Sequence, residues 1–155
     1  MAVFIQEKPF DVSAEISNFG TKVGSSGAIV TFTGIVRNDS GALDYIIIEH
    51  YPAMTGIALQ NFTELAIDRF ELEDALVIHR YGTLRPREII MMVATAARHR
   101  QDAFAGAQFL MDCLKSRAPF WKKEVSEGLG KWVEPRAKDE VELGLWDHKS
   151  NSRTG

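Results

Sequence analysis

Two lysines, Lys115 and Lys122, flank a short apolar segment with a proline and two aromatic residues, residues 118–121 (APFW). A lysine amine does chemistry when a dry environment or a neighbouring cation lowers its pKa, because the neutral amine is a nucleophile and a base. Phe120 and Trp121 would supply the dryness. The structural alternative places Lys115 in a last helical turn, where a cation stabilises the helix dipole, and the aromatic residues in the core. Spacing alone favours that alternative.

Five further residues have side chains suited to binding an anion. Arg98, His99 and Arg100 directly follow a strongly apolar stretch, Arg37 follows another, and Arg136 follows the sequence WVEP. Arginine grips a phosphate or carboxylate with two parallel hydrogen bonds, and histidine can donate to the same anion. Each position also fits a polar strand end exposed to water. Residue type alone slightly favours that interpretation for residues 98–100 and does not decide for Arg37 and Arg136.

Several common catalytic and metal-binding patterns do not occur in the sequence. It contains no Walker loop, no dinucleotide-binding fingerprint and no nucleophile elbow. The four histidines have no recognisable metal spacing, so we expect no metal site. His79 is interpreted as a hydrogen-bonded strand histidine. Cys113 is interpreted as a packing residue, since no activating base lies beside it.

The composition is that of a soluble globular domain. The chain of 155 residues can form one domain with a core, and its 45% hydrophobic and 25% charged content is ordinary. No apolar run approaches the ~20 residues that cross a bilayer. The N-terminal residues lack a signal-peptide pattern, and a single cysteine excludes an internal disulfide. We therefore expect a cytoplasmic protein that binds no membrane.

The charge distribution is uneven. The net charge of −3 argues against general affinity for nucleic acid. Between positions 98 and 136, however, eight Lys or Arg residues accompany five Asp or Glu residues. Such a basic island can serve a small anionic ligand, although charge counting alone favours a chance cluster on a solvated face.

The hydrophobic periodicity predicts a set of helices and strands that would position these side chains. Helices are predicted over residues 12–23, from Pro52 onward and over 101–117, with Ser13 capping the first. Strands are predicted over 28–36, 43–51, 75–81, 89–97 and 131–133. The first two strands should form a hairpin, and strand 89–97, apolar on both faces, should be central. Gly34 should mark a bulge or a close backbone approach.

Two apolar stripes should face the core. Those expected to be buried are Met54, Ile57, Ala58, Phe62, Leu65, Ala66 and Phe70 on one helix, and Phe104, Ala107, Leu110, Met111 and Leu114 on another. The element order α-β-β-α-β-β-α-β predicts an α+β domain with a mainly antiparallel or mixed sheet and helices packed on it. We place this single domain at residues 1–146 and expect a disordered tail at 147–155.

Five stretches of the chain, in order and spacing, resemble the large, catalytic subunit of molybdopterin synthase, the MoaE family. They are GAIVTFTGIVRN, EHYPAMT, VIHRYGTL, RHRQDAFAGAQFLMDCLKSRAPFWKKE and KWVEPR. The resemblance covers roughly residues 27–136, and the run AFAGAQFLMDCLKSRAPFWKKE is its specific part. It implies an α/β-hammerhead-like fold.

The resemblance also implies a reaction. The family is a sulfurtransferase of molybdenum cofactor biosynthesis that converts cyclic pyranopterin monophosphate (precursor Z) to molybdopterin by adding two dithiolene sulfurs. The sulfur arrives as a thiocarboxylate on the C-terminal Gly-Gly of a small ubiquitin-like subunit. The resemblance further implies no permanently bound cofactor and a homodimer of large subunits at the centre of a heterotetramer.

Residue roles follow from the matching motifs. The resemblance implies that Lys115 and Lys122 are catalytic. Its substrate-binding positions are Phe32, Ile35, Val36, Arg37, His99, Arg100, Met111, Lys115, Lys122, Lys123, Glu124 and Arg136. Of these, Arg136 would come from the neighbouring large subunit. Our hypothesis is that Lys115 is the principal acid, base or covalent participant, while Lys122 stabilises charge and positions the thiocarboxylate. The sequence leaves this division of roles open.

The sequence departs from the family pattern at three places, and two other function classes stay open. Position 35 is Ile where some relatives carry a basic residue, position 123 is Lys where others carry Arg, and the turn after Arg37 is short. A non-catalytic module could use the same basic pocket to hold an anion or a partner's tail. A phosphoryl-transfer enzyme is disfavoured by the missing phosphate loop and acidic metal-binding cluster.

Overall fold

The chain alternates helices with strands that pair into two separate sheets. The computed structural model describes residues 1–134 and Trp146. In chain order the elements are β1 (Ala2–Gln6), α1 (Val12–Gly20), β2 (Ala28–Ile35), β3 (Tyr45–His50), α2 (Pro52–Phe70), β4 (Leu72–Arg80), β5 (Gly82–Leu84), β6 (Ile89–Ala97), α3 (Arg100–Ser116), β7 (Phe120–Ser126) and β8 (Leu129–Val133). The predicted α+β class is confirmed.

The two sheets have different characters. The first has the order β1-β4-β6-β2, in which β1 runs parallel to β4 and the other pairs are antiparallel. The second has the order β5-β3-β7-β8 and is antiparallel throughout. The expected central position of β6 is confirmed. The bulge expected at Gly34 is also present, because the register of β2 shifts between Gly34 and Ile35.

Helices cover both faces of the first sheet. On one face, Phe19 of α1 packs with Ile78 and Met92. On the other face, α2 and α3 build the largest core cluster, in which Leu59 and Leu110 are almost completely buried. The second sheet has its own small core, formed by Val36, Ile46, Ile48 and Leu84. Ile90 and Phe120 pack against both this core and the core under α2 and α3, so they join the two sheets.

The strand prediction was wrong in its pairing and incomplete in its count. β2 and β3 do not form a hairpin, since β2 pairs with β6 and β3 pairs with β5 and β7. Apolar periodicity identifies strands but does not identify their partners. β1, β5 and β7 were not predicted. β7 was not recognised as a strand because three charged residues interrupt its apolar pattern.

The predicted buried stripes were partly wrong. On α2, Met54, Ile57 and Leu65 are more than half exposed, and on α3 Phe104 is 62% exposed. Threonines take the buried face of α2 instead: the Thr63 hydroxyl donates to the Leu59 carbonyl at 2.7 Å, and Thr55 makes the same bond to the residue four positions before it. A hydroxyl satisfied in this way packs like an apolar group, which composition patterns do not reveal.

The helix boundaries lie close to the predicted ones. The first helix is capped by Asp11 rather than by Ser13, because the Asp11 carboxylate accepts from the amides of Ser13 and Ala14. α3 ends at Ser116, just before Ala118, as Pro119 requires. The tail at 147–155 and the domain limit at 146 lie at or beyond the edge of the described residues. No helix in the described part of the chain is long and apolar enough to span a membrane.

We predict opposite consequences for the same substitution at two helical glycines. A Cβ at Gly56 of α2 meets nothing within 4 Å, whereas a Cβ at Gly106 of α3 lies 2.8 Å from a methyl group of buried Leu72. Gly56→Ala should raise the free energy of unfolding by about 0.5–1 kcal/mol through helix propensity. Gly106→Ala should lack this gain, because overpacking against Leu72 offsets it. Chemical denaturation measures both, and equal stabilisation would contradict the close packing of α3 on β4.

Candidate active site

The two lysines are presented by neighbouring elements. Lys115 lies in the last turn of α3, and the chain then turns through Pro119 directly into β7, which carries Lys122. Side chains alternate across a strand, so Phe120 and Lys122 share one face of β7, whereas Trp121 points to the other. Lys115 is exposed in the single chain, and the Lys122 side chain is 43% exposed. Of the two aromatic residues expected to dry the lysines, only Phe120 lies on the face of Lys122.

A stack of two rings lies between the lysine-bearing elements. The imidazole of His79, on β4, lies parallel to the Phe120 ring with 3.8 Å between centroids. Lys115 is close enough for its positive charge to disfavour protonation of His79. Because Phe120 is two residues from Lys122 on the same face of β7, this stack links the surroundings of both amines.

His79 is a neutral imidazole with a defined tautomer. Its Nδ1 lies 2.8 Å from the Arg80 carbonyl oxygen, which can only accept, so Nδ1 carries the proton. Burial, followed by the charges of Lys115 and His50, lowers the pKa of His79 to about 4. The interpretation of His79 as a hydrogen-bonded strand histidine is confirmed.

His50 is a second histidine beside this stack, and sequence patterns gave no signal for it. Its ring lies 4.6 Å from that of Tyr81 and 6.0 Å from that of Phe120. Its Nδ1 is buried without a hydrogen-bond partner among the described residues. Such atoms are rare in folded proteins. This one adjoins the surroundings of Lys115.

Arg37 belongs to the same end of the molecule as the lysines. It follows Val36, whose side chain is buried in the small core with Ile48, and Ile48 is the cross-strand partner of Lys122. The Arg37 guanidinium is exposed and pairs with Asp39 at 3.2 Å. Ile35 is 57% exposed. Val36 therefore serves packing, while Arg37 and Ile35 are open to a ligand.

The remaining residues of this end differ in how they face the lysines. Lys122 pairs with Glu124 on the same face of β7, with 3.5 Å between Nζ and Oε1. Lys123 points to the opposite face, where its Nζ lies 5.5 Å from the centre of the Trp132 ring. The structure therefore brings Glu124, but not Lys123, to the face of Lys122.

The two apolar positions expected to line the pocket lie under α3. Met111 is buried in the core beneath α3, and Phe32 on β2 is 40% exposed on the face of the first sheet that α3 covers. A ligand could therefore contact Phe32 and Met111 only from the side of the first sheet that α3 covers.

Arg98, His99 and Arg100 form a separate basic site. They line a surface depression of about 450 Å³ together with Gly27 and Gln101, at the start of α3. The Thr95 hydroxyl donates to the Ala103 carbonyl at 2.7 Å and fixes this first turn of the helix against β6. Backbone amides at a helix start and two arginines make the depression suited to an anion.

The two basic sites are far apart within one chain. His99 precedes α3 and Lys115 lies in its last turn, and a rise of 1.5 Å per residue separates their backbones by about 24 Å. Arg37 and Arg98 likewise flank opposite ends of the paired strands β2 and β6. The structure therefore groups Arg37, Lys115 and Lys122 at one end and His99 and Arg100 at the other. Arg136 lies outside the described residues.

A buried arginine, which the sequence analysis did not single out, holds the lysine end together. The Arg80 guanidinium donates to the carbonyls of Glu7 and Ile89 and to the Glu88 carboxylate, at 3.0–3.2 Å. It thereby ties the ends of β1, β4 and β6 to one another. The sequence HRY contained this residue, but nothing in it indicated that the charge would be buried.

Comparison with known proteins identifies the family of the chain. A family model described as MoaE protein matches residues 5–117, more than half of the chain. The chain belongs to the MoaE family. The resemblance stated from sequence motifs is thereby confirmed.

Its MoaE relatives are consistent in name and fold. A curated relative from Cereibacter sphaeroides, named molybdopterin synthase catalytic subunit, is 57% identical over 94% of this chain and 100% of its own length. The solved molybdopterin biosynthesis MoaE protein from Burkholderia ambifaria is 40% identical, with a TM-score of 0.81 over 95% of this chain and 99% of that one. A subunit complex of molybdopterin-converting factor from Helicobacter pylori, at 17% identity, shares the fold with a TM-score of 0.75, covering 86% and 91%. This MoaE chain thus has the enzyme class of a molybdopterin synthase catalytic subunit, in molybdenum cofactor biosynthesis.

The MoaE chain's single cysteine has no part in this site. Cys113 is buried in α3, and burial raises the pKa of its thiol to about 11. A thiol protonated at neutral pH and shielded from solvent is a poor nucleophile. The interpretation of Cys113 as a packing residue is confirmed.

We predict that His79 makes the stability of this MoaE chain depend on pH. Its pKa is about 4 when folded, below the 6.5 of an exposed histidine. The unfolded chain therefore takes up the proton first. The stabilisation is complete above pH 6.5, and about 3 kcal/mol of it is lost as the pH falls to 4.

Denaturation curves from pH 7 to 4 test this against His79→Phe, which keeps an aromatic ring on Phe120 but does not titrate. The free energy of unfolding of the wild type minus that of His79→Phe should fall by about 3 kcal/mol between pH 7 and pH 4. A constant difference would contradict a neutral, buried His79.

Proposed function

We propose that this chain converts cyclic pyranopterin monophosphate to molybdopterin with Lys115 and Lys122 at the reacting centre. Two dithiolene sulfurs would come from the thiocarboxylated C-terminus of a small partner protein. The observation that carries this proposal is the placement of both lysines around the His79–Phe120 stack in a member of the MoaE family. The proposal includes no permanently bound cofactor and a cytoplasmic location.

The chemistry requires groups that lysines supply. Transfer of sulfur to the pterin side chain requires a proton for the leaving oxygen and cations near the developing negative charge. Lys115 is assigned the proton transfer because its amine lies beside the buried, uncharged His79 at the end of α3. Lys122 is assigned the binding of the thiocarboxylate, with Glu124 fixing its amine.

The cationic residues that the family resemblance assigns to the substrate lie at two ends of the chain. Arg37 is one exposed guanidinium of the lysine end, whereas His99 and Arg100 lie about 24 Å from Lys115 along α3. A pterin monophosphate is too small to contact both groups of one chain. We infer that the substrate site lies between two copies of the chain, with Lys115, Lys122 and Arg37 from one copy and His99 and Arg100 from the other.

A symmetric pair satisfies this requirement. In a two-fold dimer, if the lysine end of one copy faces the Arg98–Arg100 site of its partner, symmetry makes the partner's lysine end face the same site of the first copy. Two equal sites therefore form. The expected contribution of Arg136 from the neighbouring subunit fits the same scheme. The homodimer and the heterotetramer are thus part of the proposal.

The proposed sulfur donor is a small subunit that ends in Gly-Gly. The Helicobacter pylori structure with this fold is a complex of subunits 1 and 2 of molybdopterin-converting factor, which supports a two-protein assembly. A glycine tail has no side chains, so it can reach an amine through a narrow opening.

Reconstitution tests the proposed reaction. The chain is mixed with a thiocarboxylated small subunit and cyclic pyranopterin monophosphate, and the dithiolene product is measured. Lys115→Ala and Lys122→Ala should each lower turnover by at least about 100-fold, the usual contribution of a proton-transfer or charge-stabilising group. Lys8→Ala, at an exposed lysine in the loop after β1, is the control and should leave turnover unchanged. Normal sulfur transfer by Lys115→Ala would refute the assignment.

Heterodimers of two inactive variants test the shared site. Lys115→Ala and Arg100→Ala chains are co-expressed with different tags, and the mixed dimer is isolated by both tags. If each site takes Lys115 from one copy and Arg100 from the other, one of two sites is intact and about half of the wild-type turnover returns. If both residues act within one chain, the mixed dimer should be as inactive as its parents.

A further inference from the structure

β4 contains an irregularity that the proposed reaction does not use. Leu72 pairs with Ala97 and Asp74 pairs with Ala96, so Glu73 has no partner of its own on β6. A bulge of this kind redirects a side chain away from the ladder and is frequent near functional sites. Here it turns the carboxylate of Glu73 toward the loop between α1 and β2.

The Glu73 carboxylate is surrounded by donors from that loop. The amide of Gly24 donates to it at 2.8 Å, the amide of Ser25 reaches both oxygens at 3.1 Å, and the Ser26 hydroxyl donates at 2.5 Å. These bonds, that of Ser26 foremost, lower the pKa of Glu73 to about 2, so the carboxylate stays ionised at any working pH. Three successive loop residues are thereby held by one side chain.

The next loop residue, Gly27, contacts the basic depression. Its amide donates to the Ala97 carbonyl at 3.1 Å, and a Cβ at this position would lie only 2.6 Å from the Arg98 carbonyl oxygen. Gly27 therefore packs directly on the backbone that leads into His99 and Arg100, and it lines the depression with them. Displacement of the loop would remove this support.

The charge of Glu73 is not used to neutralise the depression. Within the described part of the chain, its hydrogen-bond donors are backbone amides and a hydroxyl, all of them neutral. The positive charges of Arg98 and Arg100 therefore stay available for an anion. Glu73 is exposed, so its bonds contribute little to global stability, and what they determine is the position of the loop.

We propose that Glu73 is a positioning residue for the substrate's anionic group: it fixes residues 24–27 so that Gly27 supports the Arg98 backbone and orients His99 and Arg100. This proposal rests on the proposed function, because it assigns those two residues to the substrate. A preorganised binding site loses less conformational entropy on binding. Release of the loop should therefore weaken substrate binding without changing the groups that react.

Steady-state kinetics of the reconstituted enzyme test the role of Glu73. Glu73→Gln keeps the size of the side chain but replaces one acceptor oxygen with an amide donor and removes the charge. The KM for cyclic pyranopterin monophosphate should rise about tenfold while kcat changes less than about twofold, which is the signature of lost uniform binding. Glu64→Gln, at an exposed glutamate on α2, is the matched control and should change neither.

A second variant approaches the same contact from the loop. Ser26→Ala removes the hydroxyl donor and should raise KM in the same way. The KM of the double variant should be no higher than that of Glu73→Gln alone, because both changes break the same Ser26–Glu73 contact. Amide hydrogen exchange at Gly24 and Ser25 should accelerate in Glu73→Gln, and this measurement does not depend on activity.

The outcomes separate the two proposals. The role of Glu73 alone would be overturned if the wild-type enzyme turns over and the KM of Glu73→Gln is unchanged. A fall in kcat as large as the rise in KM would overturn it too. Unchanged exchange at Gly24 and Ser25 would also overturn it. A wild-type chain that forms no product with the thiocarboxylated subunit would overturn the proposed function and this inference together.

Discussion

The contact between Phe120 and His79 is the constraint on which the rest of the lysine end depends. Phe120 is the first residue of β7 in the second sheet, and His79 lies on β4 in the first, so their stacked rings join the two sheets. The same contact fixes the turn between α3 and β7, and with it the approach of Lys115 to Lys122. Because His79 is buried in this contact, its imidazole stays uncharged beside a lysine.

The elements could be predicted from the sequence where one physical signal dominated. β6 reads as a central strand because it is apolar on both faces, and Gly34 lies at a bulge where an added Cβ would be 3.0 Å from the Met91 side chain. The pairing of β2 and β3 could not be predicted, since partners in a sheet are chosen by the whole fold and not by adjacent segments. The charged strand β7 remained hidden because its stabilisation comes from its neighbours β3 and β8.

The residues of the site could be named from motifs, but their grouping could not. Lys115 and Lys122 are close in sequence and lie on the consecutive elements α3 and β7. His99 follows β6 directly, yet the length of α3 carries it to the opposite end from Lys115, a separation that only three-dimensional structure reveals. Glu73 gave no sequence signal at all, because its role arises from a register shift between two strands.

The burial of Cys113 has a consequence for an enzyme that handles activated sulfur. The chain has one cysteine, and it lies 2% exposed within α3. An accessible thiol beside a thiocarboxylate could attack its carbonyl carbon, form a thioester with the partner's C-terminus and release the sulfur as hydrosulfide before it reaches the substrate. Because its one thiol is buried in the core, the chain avoids this loss of sulfur.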